Sequence, residues 1–372
     1  MTKDVPDMTT VHIEASRCYD IHIGKGLLDT CGTYIRETLP KVQKIMLVGD
    51  DTTMALFADR VEASLTKTGF AVTRFLFPHG EENKNLTVFA ALLEAMADAG
   101  LTRSDCAVAL GGGVVGDLTG FAASCFLRGI PVVQLPTTVL AAVDSSVGGK
   151  TAVDLTAGKN LAGAFHQPSL VLCDPDTFAT LPADIFADGC AEVIKYGFIS
   201  DPALLEILKT ADFDALRTGE GIGEILAACV RDKGEFVRAD ERDTGVRQLL
   251  NLGHTLGHGI EAASHYEISH GSAVAIGMHL VTAGAVARNL CPVETLDLLE
   301  TLLAAFHLPI RCPYDEDTLY RAALSDKKRA GGQITLVIPT ATGKSELFPM
   351  PVEDARGFIE DCLTYAAGRS MA

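Results

Sequence analysis

The sequence predicts an α/β N-terminal domain, residues 1–180, followed by a mainly α-helical C-terminal domain, residues 181–372. Three observations carry this reading. The chain has 372 residues, enough for about two domains at roughly 100–200 residues each. Up to about residue 175, short apolar runs alternate with helix-like segments, the pattern of a parallel, doubly wound sheet. Past Leu181-Pro182 the segments read as helices rich in Ala, Leu and Glu.

Taken in order, Lys44 to Val48 (KIMLV) before Gly49-Asp50-Asp51 reads as a buried strand and its turn. Thr52 to Thr68 follows as a helix, Ala71 to Phe77 as a strand, and Leu86 to Ala99 as a helix with apolar spacing. Cys106 to Leu110 (CAVAL) is a third buried strand, and Val132 to Leu135 and Leu170 to Cys173 are further ones. In the second half, Ala183 to Ser200, Pro202 to Thr210, Gly223 to Ala239, Gln248 to Ser264, Gly271 to Asn289 and Val293 to Phe306 read as helices. Only Ile334 to Ile338 reads as a strand there.

Composition excludes several classes. Hydrophobic residues make up 48% and charged residues 21%, which is globular rather than disordered or fibrous. The 48 acids against 31 Lys and Arg give a net charge of −17. That balance argues against nucleic acid or an anionic membrane surface as partner, because both recruit excess positive charge. Met1 to Thr10 has no apolar run of a secretory signal, and no uninterrupted apolar stretch reaches the roughly 18 residues of a membrane helix. The ten Cys are scattered without a CxxC pair, the distribution of packed, reduced thiols, so a cytoplasmic protein is expected.

Gly111-Gly112-Gly113-Val114-Val115-Gly116-Asp117 follows the CAVAL strand and opens a helix, the context that a G-x-G-x-x-G dinucleotide turn requires. Glycines there let backbone N–H groups approach a pyrophosphate at a helix N-terminus. No acid occurs between Asp117 and Asp144 to bind ribose hydroxyls, so the turn is not the standard first unit of a Rossmann fold; Asp50, after an earlier strand, is the candidate for that contact. Asp144-Ser145-Ser146-Val147-Gly148-Gly149-Lys150-Thr151 and Gly158-Lys159-Asn160 present lysines in glycine-rich loops but fail the GxxxxGK[ST] spacing. An anionic ligand is therefore expected, and a nucleoside triphosphatase is not.

The densest polar cluster is Gly253-His254-Thr255-Leu256-Gly257-His258, with His270-Gly271 beyond it. Four residues apart on a helix, His254 and His258 share a face at the spacing of paired metal ligands, while Thr255 stands where HExxH requires Glu. His270 or a carboxylate such as Glu192 could supply a third ligand. Arg247, Asn251, His254 and His258 also fall at i, i+4, i+7 and i+11, one polar stripe on the expected helix. Buried polar groups are costly unless satisfied, so the stripe points to a ligand.

GGGVVGDLTGFAAS, LPTTVLAAVDSSVGGKTAVD, GKNLAGAFHQP, AEVIKYG, ADERDTGVRQLLNLGHTLGHGIEA, HGSAVAIGM and DKK occur in one order from about Asp50 to about Ser345. This chain thereby resembles the 3-dehydroquinate synthases. The resemblance implies a Rossmann-like NAD-binding N-terminal domain and a metal-binding helical domain, with zinc, or cobalt in its place, at the cleft between them. It assigns the metal to Glu192, His254 and His270, which moves His258 from ligand to acid/base or phosphate-region residue. It implies NAD contacts from Asp50, from the loop His79, Gly80, Glu81, Glu82, Asn83 and Lys84, and from the turn Gly113, Val114, Val115, Gly116 and Asp117. Thr137, Thr138, Lys150, Lys159 and the segment Thr177, Phe178, Ala179 and Thr180 complete that set. Substrate contacts are implied for Asp144, Lys150, Lys159, Asn160, Lys195, Lys233, Arg247, Asn251, His258 and Lys327. Arg128 is implied as a phosphate contact lent by a neighbouring subunit, hence a homodimer.

The implied activity converts 3-deoxy-D-arabino-heptulosonate 7-phosphate into 3-dehydroquinate and phosphate, the second step of the shikimate pathway. A sister cyclase or a polyol dehydrogenase is the competing enzymatic reading. Lys233, Asn251, His258 and Lys327 should separate them, and all four carry the dehydroquinate synthase identity. Two departures are local: Ser272 stands after His270-Gly271 where the family often has Glu, and Phe126-Leu127 precede Arg128 where a Tyr is common.

Overall fold

The computed structural model describes residues 8–327 and 332–369. They form two compact units. The first takes the chain up to Leu181 together with Ala215–Arg242; the second takes Pro182–Asp214 and the chain from Asp243 onward.

The first unit begins with β1 (Thr9–Ile13), β2 (Tyr19–Ile23), α1 (Leu27–Thr38), β3 (Lys44–Asp50), α2 (Asp51–Lys67) and β4 (Ala71–Phe77). It continues through α3 (Leu86–Asp98), β5 (Cys106–Gly111), α4 (Gly113–Cys125), β6 (Val132–Pro136), β7 (Lys150–Leu155), β8 (Gly158–Phe165) and β9 (Leu170–Cys173). Seven strands form one sheet in the order β1-β2-β9-β6-β5-β3-β4. All neighbours are parallel except β1 and β2. In β3, Ile45 and Leu47 face one layer, with Phe57, Val61 and Leu65, while Met46 and Val48 face the other, with Leu92, Met96 and Leu118. Side chains alternate across a strand, so a run buried on both faces must be apolar throughout, as Ile45 to Val48 and CAVAL are. Starts are fixed by side-chain caps: Asp50 accepts from Thr53 N at 2.7 Å, and Asn85 from Thr87 N at 2.9 Å.

The second unit takes α5 (Ala183–Ile199) and α6 (Pro202–Thr210); α7 (Phe213–Arg217) is the crossing point, and α8 (Ile222–Ala239) belongs to the first unit. The helix expected over Gly223 to Ala239 thus leaves the C-terminal half and packs on β1. Ile222, Ile225, Leu226, Cys229, Val230 and Val237 supply its buried stripe. The second unit then runs through α9 (His254–Ala263), α10 (His270–Ala287), α11 (Val293–Ala305), α12 (Glu316–Lys327), β10 (Gln333–Ala341), β11 (Lys344–Pro351) and α13 (Val352–Arg369). The strand expected at Ile334 to Ile338 is one arm of an antiparallel hairpin with β11.

Helix α10 is the centre of this unit, lying against α5, α9 and α13. It is long and apolar enough to cross a membrane, yet 83% of it is buried within the protein, as a core helix is. The helix expected over Gln248 to Ser264 is broken. Val246–Asn251 is a 3₁₀ turn, Gly253 adopts φ 79°, and α9 begins at His254. The break follows from the close approach of α10: a Cβ on Gly277 would lie 2.0 Å from the Gly253 carbonyl oxygen. Backbone must move to accept it, and overpacking of this kind costs typically 1–3 kcal/mol or more. Gly277→Ala is therefore expected to lower the urea midpoint of the metal-free protein by the equivalent of about 3 kcal/mol. A wild-type denaturation curve would show that the packing at this crossing is looser than described.

Candidate functional site

In the first unit the sheet grows away from β3 in both directions: β4 on one side, and β5, β6 and β9 on the other. Ligands of open α/β sheets bind beyond the carboxyl ends of the strands at such a switch point. The segments placed there are Asp50 after β3, His79 to Lys84 after β4, Gly112-Gly113 after β5, and Thr137-Thr138 after β6. A Cβ on Gly112 would meet the Thr138 methyl at 3.2 Å, and one on Gly116 would meet Gln134 at 2.8 Å. Gly112 at the N-cap of α4 brings no side chain to its first N–H groups, an arrangement that suits an anion. The Thr137 hydroxyl is buried without a hydrogen-bond partner among the described residues. A bare helix N-terminus on a glycine cradle, with a buried hydroxyl beside it, fits a dinucleotide pyrophosphate. Val115 is fully buried in the core, which leaves only its backbone for a ligand. Asp50 spends Oδ1 on capping α2, and His79 pairs with Asp51 at 2.7 Å rather than with Asp50.

Lys84, 4% exposed, ties this region together. Its Nζ lies 2.6 Å from Asp117 Oδ2 and donates to Asn160 Oδ1 at 2.7 Å. Burial pulls its ammonium downward, but Asp117 and Glu81 more than offset that and hold it above the usual lysine range. The ladder continues through the backbone: Asp154 N donates to the Lys84 carbonyl, and Asn160 N to Asp154 Oδ1, both at 2.7 Å. Lys159 lies 4.0 Å from Glu81. The hairpin β7–β8, absent from the sequence reading, is what brings Lys150, Lys159 and Asn160 to one structure. Asp144, in the turn Ala141–Ser145, accepts from buried Lys233 through both its carbonyl and its carboxylate. Thr177, Phe178, Ala179 and Thr180 form a 3₁₀ turn after β9 in which Phe178 is fully buried and Thr177 Oγ1 donates to the Asp174 carbonyl. Arg128 sits in an exposed turn at the end of α4.

The second unit holds the imidazoles. Glu192, fully buried in α5, directs Oε1 to 3.5 Å from His254 Nε2 and 3.3 Å from His270 Nε2. One O and two N donors converging at this range suit a divalent zinc- or cobalt-type ion. His254 Nδ1 pairs with the Leu252 carbonyl at 3.1 Å, which turns Nε2 toward the cluster. Burial pushes His254 down to about 3, so its ring stays neutral with a lone pair to give. His270 is also depressed by burial, but hydrogen bonds to Glu192 and Glu261 override this and raise it to about 10. A cation at Nε2 takes the place of that proton.

The pairing of His254 with His258 read from helical spacing is corrected here. The rings are T-shaped at 5.4 Å, but the set around Glu192 is completed by His270 from another helix. Nor do Arg247, Asn251, His254 and His258 form one helical stripe, since Gly253 breaks the helix between Asn251 and His254. Arg247 is buried, whereas Asn251 and His258 are exposed. Lys195 is 1% exposed and pairs with Glu192 one turn away. Lys327 closes α12, and its side chain lies outside the described residues.

Glu261 was missed by the sequence reading. It is buried in α9, with Oε2 3.2 Å from His270 Nδ1. A carboxylate behind a ligating imidazole fixes ring orientation and raises its basicity. The available signal was a lone acid three residues beyond His258 in an Ala/Gly-rich helix. Glu261→Gln is expected to weaken zinc binding by roughly 10–100-fold, as read by competition with a chromophoric chelator. An unchanged dissociation constant would remove Glu261 from the metal centre.

The doubly wound sheet with its glycine cradle, and the Glu/His/His centre carried on helices, define the class of the sugar phosphate cyclases. A solved structure of that class, a 2-epi-5-epi-valiolone synthase from Streptomyces hygroscopicus with NAD+ and Zn2+ bound, matches with a TM-score of 0.86 at 28% identity. It covers 94% of this chain and 97% of that one. The family models for the 3-dehydroquinate synthase N-terminal and C-terminal regions match residues 74–188 and 189–329. A 3-dehydroquinate synthase from Enterococcus faecalis is 41% identical over 92% of this chain and 95% of its own length. One from Streptococcus pneumoniae is 42% identical over 92% and 96%. The chain belongs to the 3-dehydroquinate synthase family.

Proposed function

We propose that this chain converts 3-deoxy-D-arabino-heptulosonate 7-phosphate into 3-dehydroquinate and phosphate. Transient oxidation of one hydroxyl acidifies the neighbouring C–H, phosphate leaves by elimination, the carbonyl is reduced again, and ring opening precedes an intramolecular aldol closure. The observation that carries this reading is the convergent Glu192, His254 and His270 centre with Lys195 beside it, in a chain so similar to these synthases. When bound, NAD supplies the reversible hydride acceptor and the metal ion the polarisation of the reacting hydroxyl.

The chain's own residues supply position and charge. The α4 N-terminus and the Thr137 hydroxyl hold the nucleotide, with Asp50, the His79 to Lys84 loop and the Thr177 to Thr180 turn around it. Lys150, Lys159, Asn160, Lys195, Arg247, Asn251 and His258 supply the polar and cationic groups for the carboxylate and phosphate of the substrate. Each charge-assisted hydrogen bond to that anion contributes about 1.5–3 kcal/mol. Such a set also explains why so acidic a chain keeps lysines in its glycine-rich loops. Lys233 holds the Asp144 carboxylate in place.

A homodimer in the cytoplasm extends the reading, with Arg128 reaching the neighbouring subunit's phosphate site; its exposed turn supports that role. The test of substrate class is product analysis. Zinc-loaded protein with NAD should release phosphate from the heptulosonate phosphate and yield a carbocyclic dehydroquinate by NMR. Glucose 6-phosphate, which lacks the carboxylate, should not be turned over. Preferred release from glucose 6-phosphate would assign the chain a sister cyclase activity.

A further inference from the structure

We infer that the second unit contains a second, weaker divalent-cation site, built from His258, Glu261 and His270, adjacent to the Glu192 centre and sharing one imidazole with it. The inference rests on the metal-centre reading above and extends it to His258 and Glu261, which are not ligands of that centre. His270 starts α10 and presents its two ring nitrogens to two different carboxylates: Nε2 lies 3.3 Å from Glu192 Oε1, and Nδ1 lies 3.2 Å from Glu261 Oε2. His258, one helical turn before Glu261 on α9, completes a second convergent set. Its ring lies over that of His270 at 6.0 Å and 30°.

Geometry and chemistry agree. His258, Glu261 and His270 each offer one ligand atom, all within 4.8 Å of one another, the same closeness that the Glu192, His254 and His270 set attains. Two imidazoles and a carboxylate form a donor set that zinc accepts in three-ligand sites. Glu261 is buried and His258 exposed, so an ion there has an anionic floor and an open side for water. Entry of this ion replaces the hydrogen bond between His270 and Glu261. The Nδ1 proton leaves to solvent, the Nδ1 lone pair goes to the metal, and the Glu261 carboxylate turns from accepting that proton to ligating the ion. The imidazole then bridges two cations. Loss of that proton, repulsion between the ions and the exposed His258 ligand make this site weaker than the first. Because His258 is a substrate-binding residue in the proposed function, filling of the site by excess zinc competes with the sugar phosphate.

Equilibrium dialysis of the full chain against zinc alone, without NAD or sugar phosphate, tests this. Wild type should reach one equivalent at low zinc and a second at a concentration at least about tenfold higher. His258→Ala should bind only the first equivalent, its midpoint within about twofold of wild type, since His258 is not a ligand of that centre. Glu261→Gln should lose the second equivalent and weaken the first. A wild-type isotherm that saturates at one equivalent would overturn the inference, as would two equivalents in His258→Ala, which would place the second ion elsewhere on this acidic surface. Loss of both equivalents in His258→Ala, with helicity unchanged by circular dichroism, would instead overturn the Glu192, His254 and His270 assignment on which the inference rests.

Discussion

His270→Ala should lose zinc and activity together. The ring contributes the second nitrogen of a three-donor set whose remaining members are Glu192 and His254, and zinc in catalytic centres is held by three protein ligands as a rule. Alanine also leaves Glu261 buried without its imidazole partner, a penalty that persists when zinc is added. Metal polarisation is worth several kcal/mol in the transition state, so turnover should drop by about a thousandfold or more at ordinary zinc concentrations. The metal content of the dialysed variant, measured beside its rate, decides the matter. Stoichiometric zinc in an inactive His270→Ala protein would count against His270 as a ligand and leave it a role in proton transfer only.

Lys195→Ala should reduce turnover by roughly 10²–10⁴-fold while the dissociation constant for NAD stays nearly unchanged. The side chain is 1% exposed and pairs with Glu192 on the same helix, whereas the glycine cradle belongs to the first unit. Breaking the pair removes one of the two cationic neighbours of the buried Glu192 carboxylate and leaves it to His270, at a cost of up to about 3–5 kcal/mol. A bound cation restores part of that charge balance, so zinc should raise the melting temperature of Lys195→Ala by more than it raises that of wild type. Lys195→Arg should keep the stability and not the rate. A parallel fall in NAD affinity would mean that Lys195 serves the nucleotide rather than the substrate.

The strands buried on both faces were legible because such burial forces unbroken apolar runs, and the glycine turn because its conformation admits few other residues. The edge pair β1–β2 was missed: five-residue strands carrying His12, Asp20 and His22 present no apolar run to read. The hairpin β7–β8 hid inside the glycine- and lysine-rich motifs, where turn signals mask strand pairing. At the metal centre the residue types were readable and the partnership was not. His254 and His258 satisfy a local spacing, whereas Glu192 and His270 meet His254 only through the packing of α10 against both α5 and α9. The break at Gly253 combines both levels: a glycine that can adopt the left-handed φ of 79° stands where α10 approaches at Gly277. Only the resemblance placed His270 ahead of His258, and Glu261 reaches the centre through the fold alone.

The proposed reaction uses and regenerates NAD within each turnover. It is tested most directly by supplying the heptulosonate phosphate to zinc-loaded protein with a small, fixed amount of NAD, following phosphate and the NADH absorbance together. Phosphate in many-fold excess over NAD, no lasting NADH, and loss of release on chelation are expected. NADH accumulating one-for-one with consumed substrate, without phosphate, would contradict the proposed reaction and make the chain a dehydrogenase on the same fold.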